Sequence, residues 1–507
     1  MGKKTAKVKN KASVWNFASV VLVAVFCLTL INQGGFYEGA IIFAGLILSA
    51  FLLVKTVNFK ISLSGGLLLL FAMWYFFCSV KNGFITEYAA KGLMPFVLFL
   101  FLIFKQECNR QTEHIFTAIL KFSLCLAAIS VVQFVVLSLK NDTFMRLLFP
   151  FNYANVTGIY FSVCFFLSVE SKDLFVRRAS FLFATASLLT LSVGAVLLSF
   201  LYAFFLLLQK RKFRETILLS ALVIVAAFVA KSRIIQSGGT FLERLLQIYD
   251  GFLCMIKNPV FGIGAGSWEN AKQFYQTGFY SAKVIHCSFV QLGVDSGFLG
   301  LFLFFAASIS FLKDTYRNKK KFALCLLVLM HSFIDFSLSF TAIGFLLILL
   351  SENPEAKTFS VKEGAKYIVA IIAFCIFLVS AYGLSSAKSF EQGYRTENIG
   401  FFARHSVNAA KSYALKGNFI PDDMFFIGKK REKPYELVLN EAAHREDRDK
   451  YLISVLKERP YDVNLMRFIE ENCTEEYINK ARSYHEQTVA SLSPLGEILY
   501  NLKGVNQ

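Results

Sequence analysis

The residues whose types and spacing suit them to chemistry cluster between Arg244 and Phe305, in RLLQIYDGFLCMIKNPVFGIGAGSWENAKQFYQTGFYSAKVIHCSFVQLGVDSGFLGLFLFF. His286 stands where this stretch turns from polar to apolar. A neutral imidazole takes a proton from a hydroxyl near pH 7. Arg244 and Arg233 precede it, and a guanidinium holds a phosphate through paired N–H bonds. A histidine base with an arginine fork suits transfer from a phosphorylated lipid donor to a hydroxyl acceptor. Taken alone, His286 reads as an interfacial histidine satisfied by backbone. Its neighbours, with Asp295, Gly297 and Gly300 at fixed spacing, favour the chemical reading.

Pro259-Val-Phe-Gly262-Ile-Gly264-Ala-Gly266 contains a GxGxG. A dinucleotide fingerprint needs a preceding strand and a following helix, and neither pattern is present. The glycines instead predict a tight loop whose backbone N–H groups approach a ligand or another helix. Further on, His331 and Asp335 fall four apart in LCLLVLMHSFIDFSLSF. An ionisable pair in an apolar segment is costly and has a reason. Either the two bond each other and pin two helices, or they form a second polar wall of the site.

The elements that must position these groups are apolar. Of the 507 residues 55% are hydrophobic and 17% charged, against about 25% charged in soluble domains. Apolar runs of bilayer length recur at about 13–32, 37–55, 62–80, 88–104, 115–138, 154–169, 179–192, 194–209, 215–230, 290–312, 322–337, 338–351 and 367–386. The pattern predicts an all-α fold: a polytopic transmembrane helical bundle of about 12–13 spans. The 179–209 stretch reads as a tight pair around Ser192-Val193-Gly194. Strands of a membrane barrel would alternate with period two, and these runs do not.

The net charge of +18 lies wholly in residues 1–386, with 35 Lys and Arg against 17 Asp and Glu; residues 387–507 carry 18 of each. The excess concentrates in short loops such as KRKFR and KDTYRNKKK. That is the positive-inside pattern, not a nucleic-acid face. It predicts a cytoplasmic basic tail (1–12), a membrane domain (13–386) with a long extracytoplasmic loop (231–289), and a small soluble helical domain outside (387–507). The last has a helix-turn-helix rhythm of about 30 residues, read either as tetratricopeptide-like repeats or as a helical cap. The ten Cys include no CxxC pair and suggest no metal site.

The set Arg244, then Pro259, Gly262 and Gly264, then His286, Asp295, Gly297 and Gly300 resembles the bacterial O-antigen ligase and O-antigen polymerase family, which includes protein O-oligosaccharyltransferases. Its core motif runs Arg, P-x-x-G-x-G, then H-N-x-x-L-x-x-x-x-E-x-G-x-x-G. The His331–Asp335 segment resembles members with C-terminal repeats, and FNYANVTGIY, with Asn152 and Asn155, resembles an upstream Asn motif. Three positions depart: Cys287 replaces the motif Asn, Asp295 its Glu, and Val193 stands where many members carry an arginine. Arg233, Lys231 or a tail residue would then have to replace that arginine.

The resemblance implies a metal-independent glycosyltransferase without cofactor. It would move a glycan from undecaprenyl diphosphate to a hydroxyl of lipid A core, of a growing polysaccharide or of a protein, at the outer face of the bacterial inner membrane. His286 would act as base or orient the acceptor. Arg244 would hold the diphosphate, with Arg233, Gly262, Gly264 and Asp295 as further substrate contacts. A lipid-linked glycan transporter or flippase is the competing class. Such proteins show paired halves and midplane charges, which are not seen here.

Overall fold

The computed structural model describes residues 15–504 except 55–56, 58, 82–84, 109–110, 142–144, 210–230, 352–357, 392–400 and 417–433. The described chain is helical. In the apolar part the helices are α1 (Phe17–Ile31), α2 (Glu38–Leu52), α3 (Leu63–Lys81), α4 (Thr86–Gly92), α5 (Met94–Glu107), α6 (Thr112–Lys140), α7 (Ala154–Val169), α8 (Leu174–Arg178), α9 (Ser180–Leu189) and α10 (Val193–Gln209). Next come α11 (Lys231–Lys257), α12 (Trp268–Ala271), α13 (Ser288–Thr315), α14 (Lys319–Ile334), α15 (Thr341–Leu350) and α16 (Glu363–Glu391). The C-terminal segment adds α17 (Phe401–Arg404), α18 (Val407–Leu415), α19 (Tyr435–Ala443), α20 (Arg448–Glu458), α21 (Val463–Asn472), α22 (Glu475–Ala490) and α23 (Pro494–Gly504).

Among the described residues five stretches are long and apolar enough to cross a membrane: Leu63–Lys81, Thr86–Glu107, Thr112–Lys140, Ser288–Thr315 and Glu363–Ser389. Six shorter apolar helices pack among them. Each apolar run predicted on described residues contains a helix; the run at 215–230 lies outside them. The expected break within 179–209 is present. Leu191 takes φ 51 between α9 and α10, and the Thr190 hydroxyl donates to the Ser187 carbonyl at 2.6 Å.

The basic loop KRKFR lies outside the described residues; the other short basic segments meet at one end of the bundle. Lys60–Ser62 pairs antiparallel with Thr358–Ser360, as β1 and β2. Lys105 Nζ donates to the Ser351 carbonyl, Lys172 pairs with Glu113 at 2.8 Å, and Lys320 with Glu170 at 2.5 Å. At the opposite end, Phe36, Phe151, Tyr153, Phe336 and Phe340 stack, with centroids 4.6 Å apart for Tyr153–Phe336 and 4.9 Å for Phe36–Phe340. Such ring pairs add about 0.5–1.5 kcal/mol each beyond burial. This aromatic floor lies beneath the polar groups of interest.

The stretch 231–289 is not a loop throughout. Its first 27 residues form α11. Gly238 and Gly239 and the polar composition hide this helix, yet Leu242, Leu246 and Ile248 join the core from it. A helix with one apolar face lies on the bundle rather than through it. In the C-terminal segment, Val438, Leu452, Leu456, Leu465 and Ile469 make a second small core. That segment also docks onto the apolar part: Leu499 of α23 is buried in the main core. Ser406 Oγ and the Val407 and Asn408 N–H groups donate to the buried Glu87 carboxylate.

The glycine loop serves a broken helix. Inside α13, Gly297 takes φ 69, ψ −176, a region open essentially to glycine alone. The break frees the Val294 and Asp295 carbonyls. They accept from Ile263 N (2.8 Å) and Gly264 N (2.9 Å), while Phe298 N donates to the Pro259 carbonyl at 2.7 Å. A Cβ on Gly297 would lie 2.2 Å from Val260 O, and one on Gly262 2.3 Å from Val294 O. Gly297→Ala is therefore expected to cost about 3 kcal/mol or more through strain and lost bonds. Gly364, with open space around it, should accept Ala with no loss. Thermal unfolding of the two purified variants in detergent checks the contrast.

Candidate functional site

The site is organised by Asp335. The spacing to His331 predicts a pair at i, i+4 on one helix, but α14 ends at Ile334 and Asp335 is extended, with φ −154 and ψ 168. Beyond a helix end the i+4 geometry no longer holds. His331 Nδ1 meets Ser337 Oγ at 2.7 Å, not Asp335. The Asp335 carboxylate is 1% exposed. Its Oδ2 accepts from Asn155 Nδ2 at 2.6 Å and from Tyr153 OH at 3.1 Å. Its Oδ1 accepts from the Phe336 N–H at 2.8 Å. Arg244 Nη2 lies 3.7 Å from Oδ2, and His286 Nδ1 lies 3.7 Å from Oδ1. A buried carboxylate needs this company, since stripping one charge partner from such a group costs several kcal/mol.

His286 sits on the extended segment just before α13. Its N–H donates to Gln247 Oε1 at 3.2 Å, and its ring lies against Phe336 with centroids 5.1 Å apart. Ser288, two residues on, donates through N and Oγ to the Asp335 carbonyl at 3.1 and 2.9 Å. The start of α13 is thus tied to the end of α14. Arg244 and Gln247 are three apart on α11 and share a face. Arg244 Nη1 donates to the Ile334 carbonyl at 3.1 Å, and its buried Nε has no hydrogen-bond partner among the described residues. His286 and Arg244 are about one-quarter exposed, at 23% and 25%, so both can be reached from the surface. The side chain of Arg233 lies outside the described residues.

Hydrogen-bond polarity can be followed across this network from one end. Arg146 can only donate, and its Nη2 contacts Asn155 Oδ1 at 2.9 Å. That contact orients the amide, so Asn155 Nδ2 donates both to Asp335 and to Tyr153 O, the latter at 3.0 Å. The single Tyr153 proton then goes to the acceptor-only carboxylate. The remaining contact, Tyr153 O to His286 Nδ1 at 3.3 Å, must have the imidazole as donor. A neutral His286 in this network carries its proton on Nδ1 and leaves Nε2 as a bare lone pair.

Arg146, Tyr153, Gln247 and Ser288 escape the sequence reading. Asn155 was singled out in FNYANVTGIY, and Arg146 and Tyr153 lie within nine residues of it; that motif is the available signal. Asn152 instead makes a turn, with φ 54. Val193, at the position of the missing arginine, is 51% exposed. Arg146 reaches the adjoining turn from another segment, where its Nε donates to the Thr190 carbonyl at 2.9 Å.

The structure does not bring Gly262, Gly264 or Asp295 to His286. Of the two partners predicted for the glycine loop, its bonded one is a helix. Asp295 is buried, accepting from Tyr75 OH and Gln291 Nε2, each at 2.7 Å. Among the described residues no three His, Cys, Asp or Glu side chains converge as metal ligands.

Asp250, on α11 beyond the site, accepts from Thr277 Oγ1 at 2.7 Å and from Thr277 N at 3.2 Å. Burial pushes its carboxyl up to about 6, against the lowering pull of those bonds. The folded state thus holds this proton more tightly than the unfolded chain. The associated stability is full below the unfolded value near 3.8 and is lost as pH rises through about 6. Between pH 4 and pH 7 the wild type should lose roughly 2 kcal/mol more stability than Asp250→Asn. Denaturation midpoints of the two proteins across that range measure the difference.

Comparison with known proteins supplies an independent finding. The family model described as O-antigen ligase matches residues 178–305, a span holding Arg244, the glycine loop, His286 and the break in α13. No curated protein matches the chain. Residues 178–305 are thus similar to the O-antigen ligase family, whose members are enzymes of the glycosyltransferase type, and this match supports the resemblance carried by Arg244, the glycine loop and His286.

Proposed function

We propose that this protein transfers a glycan from undecaprenyl diphosphate to a hydroxyl acceptor at the outer face of the bacterial inner membrane, as an O-antigen ligase or polysaccharide polymerase. The acceptor oxygen attacks the anomeric carbon of the donor sugar, forming the new C–O bond. The bond from that carbon to the diphosphate oxygen breaks, and the lipid diphosphate leaves with the electron pair. His286 Nε2 takes the hydroxyl proton. Arg244 holds the diphosphate as charge grows on the leaving oxygen, in the manner of a preorganised electrostatic clamp. Asp335 positions both groups and keeps the imidazole proton on Nδ1. Arg244 supplies the positive charge the leaving group requires, so the step runs without a metal ion.

The observation that carries this reading is the convergence on one buried carboxylate of a histidine and an arginine from separate elements. The hydrogen-bond order described above supports the basic role of Nε2. The outward orientation is supported by charge: the described basic segments around Lys60, Lys105, Lys172 and Lys320 gather at the end away from His286, as cytoplasmic loops do. The C-terminal segment docks at the His286 end and would lie outside with it.

Transfer is measured with purified protein in nanodiscs, a lipid-diphosphate glycan donor and a hydroxyl acceptor, per mole of monodisperse protein. His286→Ala should lower turnover by roughly 10²–10⁴-fold and leave donor binding intact. Arg244→Ala should weaken both donor binding and turnover, with Arg244→Lys restoring only part, since an ammonium keeps charge but loses the fork. Asp335→Asn should lower turnover on the same scale as His286→Ala, because an amide cannot hold the imidazole proton in place. A chelator should change nothing. Wild-type turnover in His286→Ala would remove the catalytic role.

Sidedness has its own test. Alkaline phosphatase fused after Gly504 should be active in cells, and a cytoplasmic reporter there should be silent. The reverse pattern would put the C-terminal segment on the side away from an outside substrate.

A further inference from the structure

Beside the His286 site lies a cavity of about 290 Å³, near the lower end of the range of about 300–1,000 Å³ typical of small-molecule sites. It opens between α2, α4, the glycine loop and the start of α13, and the first turns of α18 close it. Ser288 links cavity and site: it lines the cavity and also donates to the Asp335 carbonyl. Phe336 separates them, with its ring centroid 5.1 Å from that of His286 and 6.0 Å from that of Phe36 on the cavity wall.

The walls carry a recognisable chemistry. The cavity's ammonium groups have carboxylate neighbours: Lys91 lies 3.2 Å from Glu38, and Lys411 lies 3.8 Å from Glu269 and 3.9 Å from Glu436. Such a wall does not favour an isolated phosphate, which the neighbouring Arg244 suits better. Amides and carboxylates line it together with the lysines, among them Asn270, Gln291 and Asp295. The rings of Phe36, Tyr37 and Tyr88 line it as well. Donors and acceptors together satisfy groups that both give and receive hydrogen bonds, as hydroxyls do. Ring faces bury the C–H patches that a polyhydroxylated ring presents. The occupant that meets both demands is a saccharide.

We infer that this cavity binds the saccharide of the acceptor, and that the C-terminal segment builds one of its walls. The inference rests on the transfer reading for which saccharide is meant, and on the cavity alone for its chemistry. Val407, Asn408 and Lys411 of α18 line it. Glu87 of α4 latches that helix, accepting from Ser406 Oγ at 2.5 Å and from the Val407 and Asn408 N–H groups at 3.2 and 3.1 Å. Thr86 N donates to the His405 carbonyl at 2.9 Å beside it. A carboxylate at a helix N-terminus satisfies free N–H groups and complements the helix dipole. The segment is thus held against the cavity by the same end of α18 that contributes to its wall.

Asn408 contributes to the latch through its backbone N–H, so its side chain can be changed with Glu87 still engaged. The test uses full-length protein in nanodiscs. The probes are a fluorescein-tagged oligosaccharide, released by mild acid from the producing cell's envelope glycan, and the same oligosaccharide still on its lipid. Binding is read by fluorescence anisotropy. Asn408→Ala and Lys411→Ala should each weaken both probes by about tenfold, and Asn408→Trp, which fills the cavity, should abolish binding of the free oligosaccharide. Lys172→Ala, at the opposite end of the bundle, should bind as wild type. Equal affinity in wild type and Asn408→Trp, or no saturable binding of either probe to wild type, overturns the inference. The transfer assay separates the two claims: loss of saccharide binding in Asn408→Trp with wild-type turnover in His286→Ala would remove the catalytic reading and keep the cavity. Unchanged binding in Asn408→Trp with turnover lost in His286→Ala would do the reverse.

Discussion

A carboxylate buried at 1% exposure is the constraint around which the polar end of this molecule is arranged. Asp335 cannot stand alone in an apolar bundle, and apart from the adjacent Phe336 N–H the groups that compensate it come from elsewhere in the chain. Asn155 and Tyr153 come from the entry to α7, Arg244 from α11, His286 from the segment before α13. These are three separate stretches of sequence. Because each partner can only donate, or has its proton already committed, their order is fixed from Arg146 inward. The same bonds that make burial tolerable therefore also orient the imidazole. Stability and the proposed chemistry draw on one network, so substitutions at Asp335 are expected to disturb both.

Positioning of this kind needs rigid supports, and the broken α13 provides them. Its N-terminal part carries Ser288, and through it the His286 segment, against the end of α14. The break at Gly297 is repaired by the loop 259–264, whose N–H groups take the carbonyls that the helix no longer uses. The glycines of the family motif are explained by this repair: a side chain at Gly262 or Gly297 would collide with backbone. Their role is to hold the site from behind, with no contact to His286.

Much of this architecture is legible in the sequence, and the limits are physical. Apolar runs announce their helices because burial of an all-round apolar surface leaves few alternatives. The charge pattern puts short basic loops such as KDTYRNKKK on one side; Lys320 and Asp314 of that loop meet Glu170 and Ser64 at one end of the bundle, while KRKFR lies outside the described residues. Helix α11 was concealed by Gly238, Gly239 and a polar face, features that suggest loop when read locally. The His331–Asp335 spacing misleads for a related reason, because period arguments assume a helix that in fact stops at Ile334. Arg146 and Tyr153 lie more than 130 residues before His286, and no local pattern reveals that such distant groups share one proton order. Val193 showed that an expected arginine was absent. Only the fold shows Arg146 entering the neighbouring turn from another direction.

The central claim is that neutral His286 keeps its proton on Nδ1 and presents Nε2 to the acceptor. Nitrogen-15 spectra of selectively labelled histidine in nanodiscs test it directly; with six histidines in the chain, the His286 signals are identified by their disappearance in His286→Gln. The account predicts a protonated, pyrrole-type Nδ1 and a bare, pyridine-type Nε2 at pH 7.5, with that order lost in Asp335→Asn. A pyrrole-type Nε2 in the wild type would contradict it, since the nitrogen meant to accept the proton would already carry one.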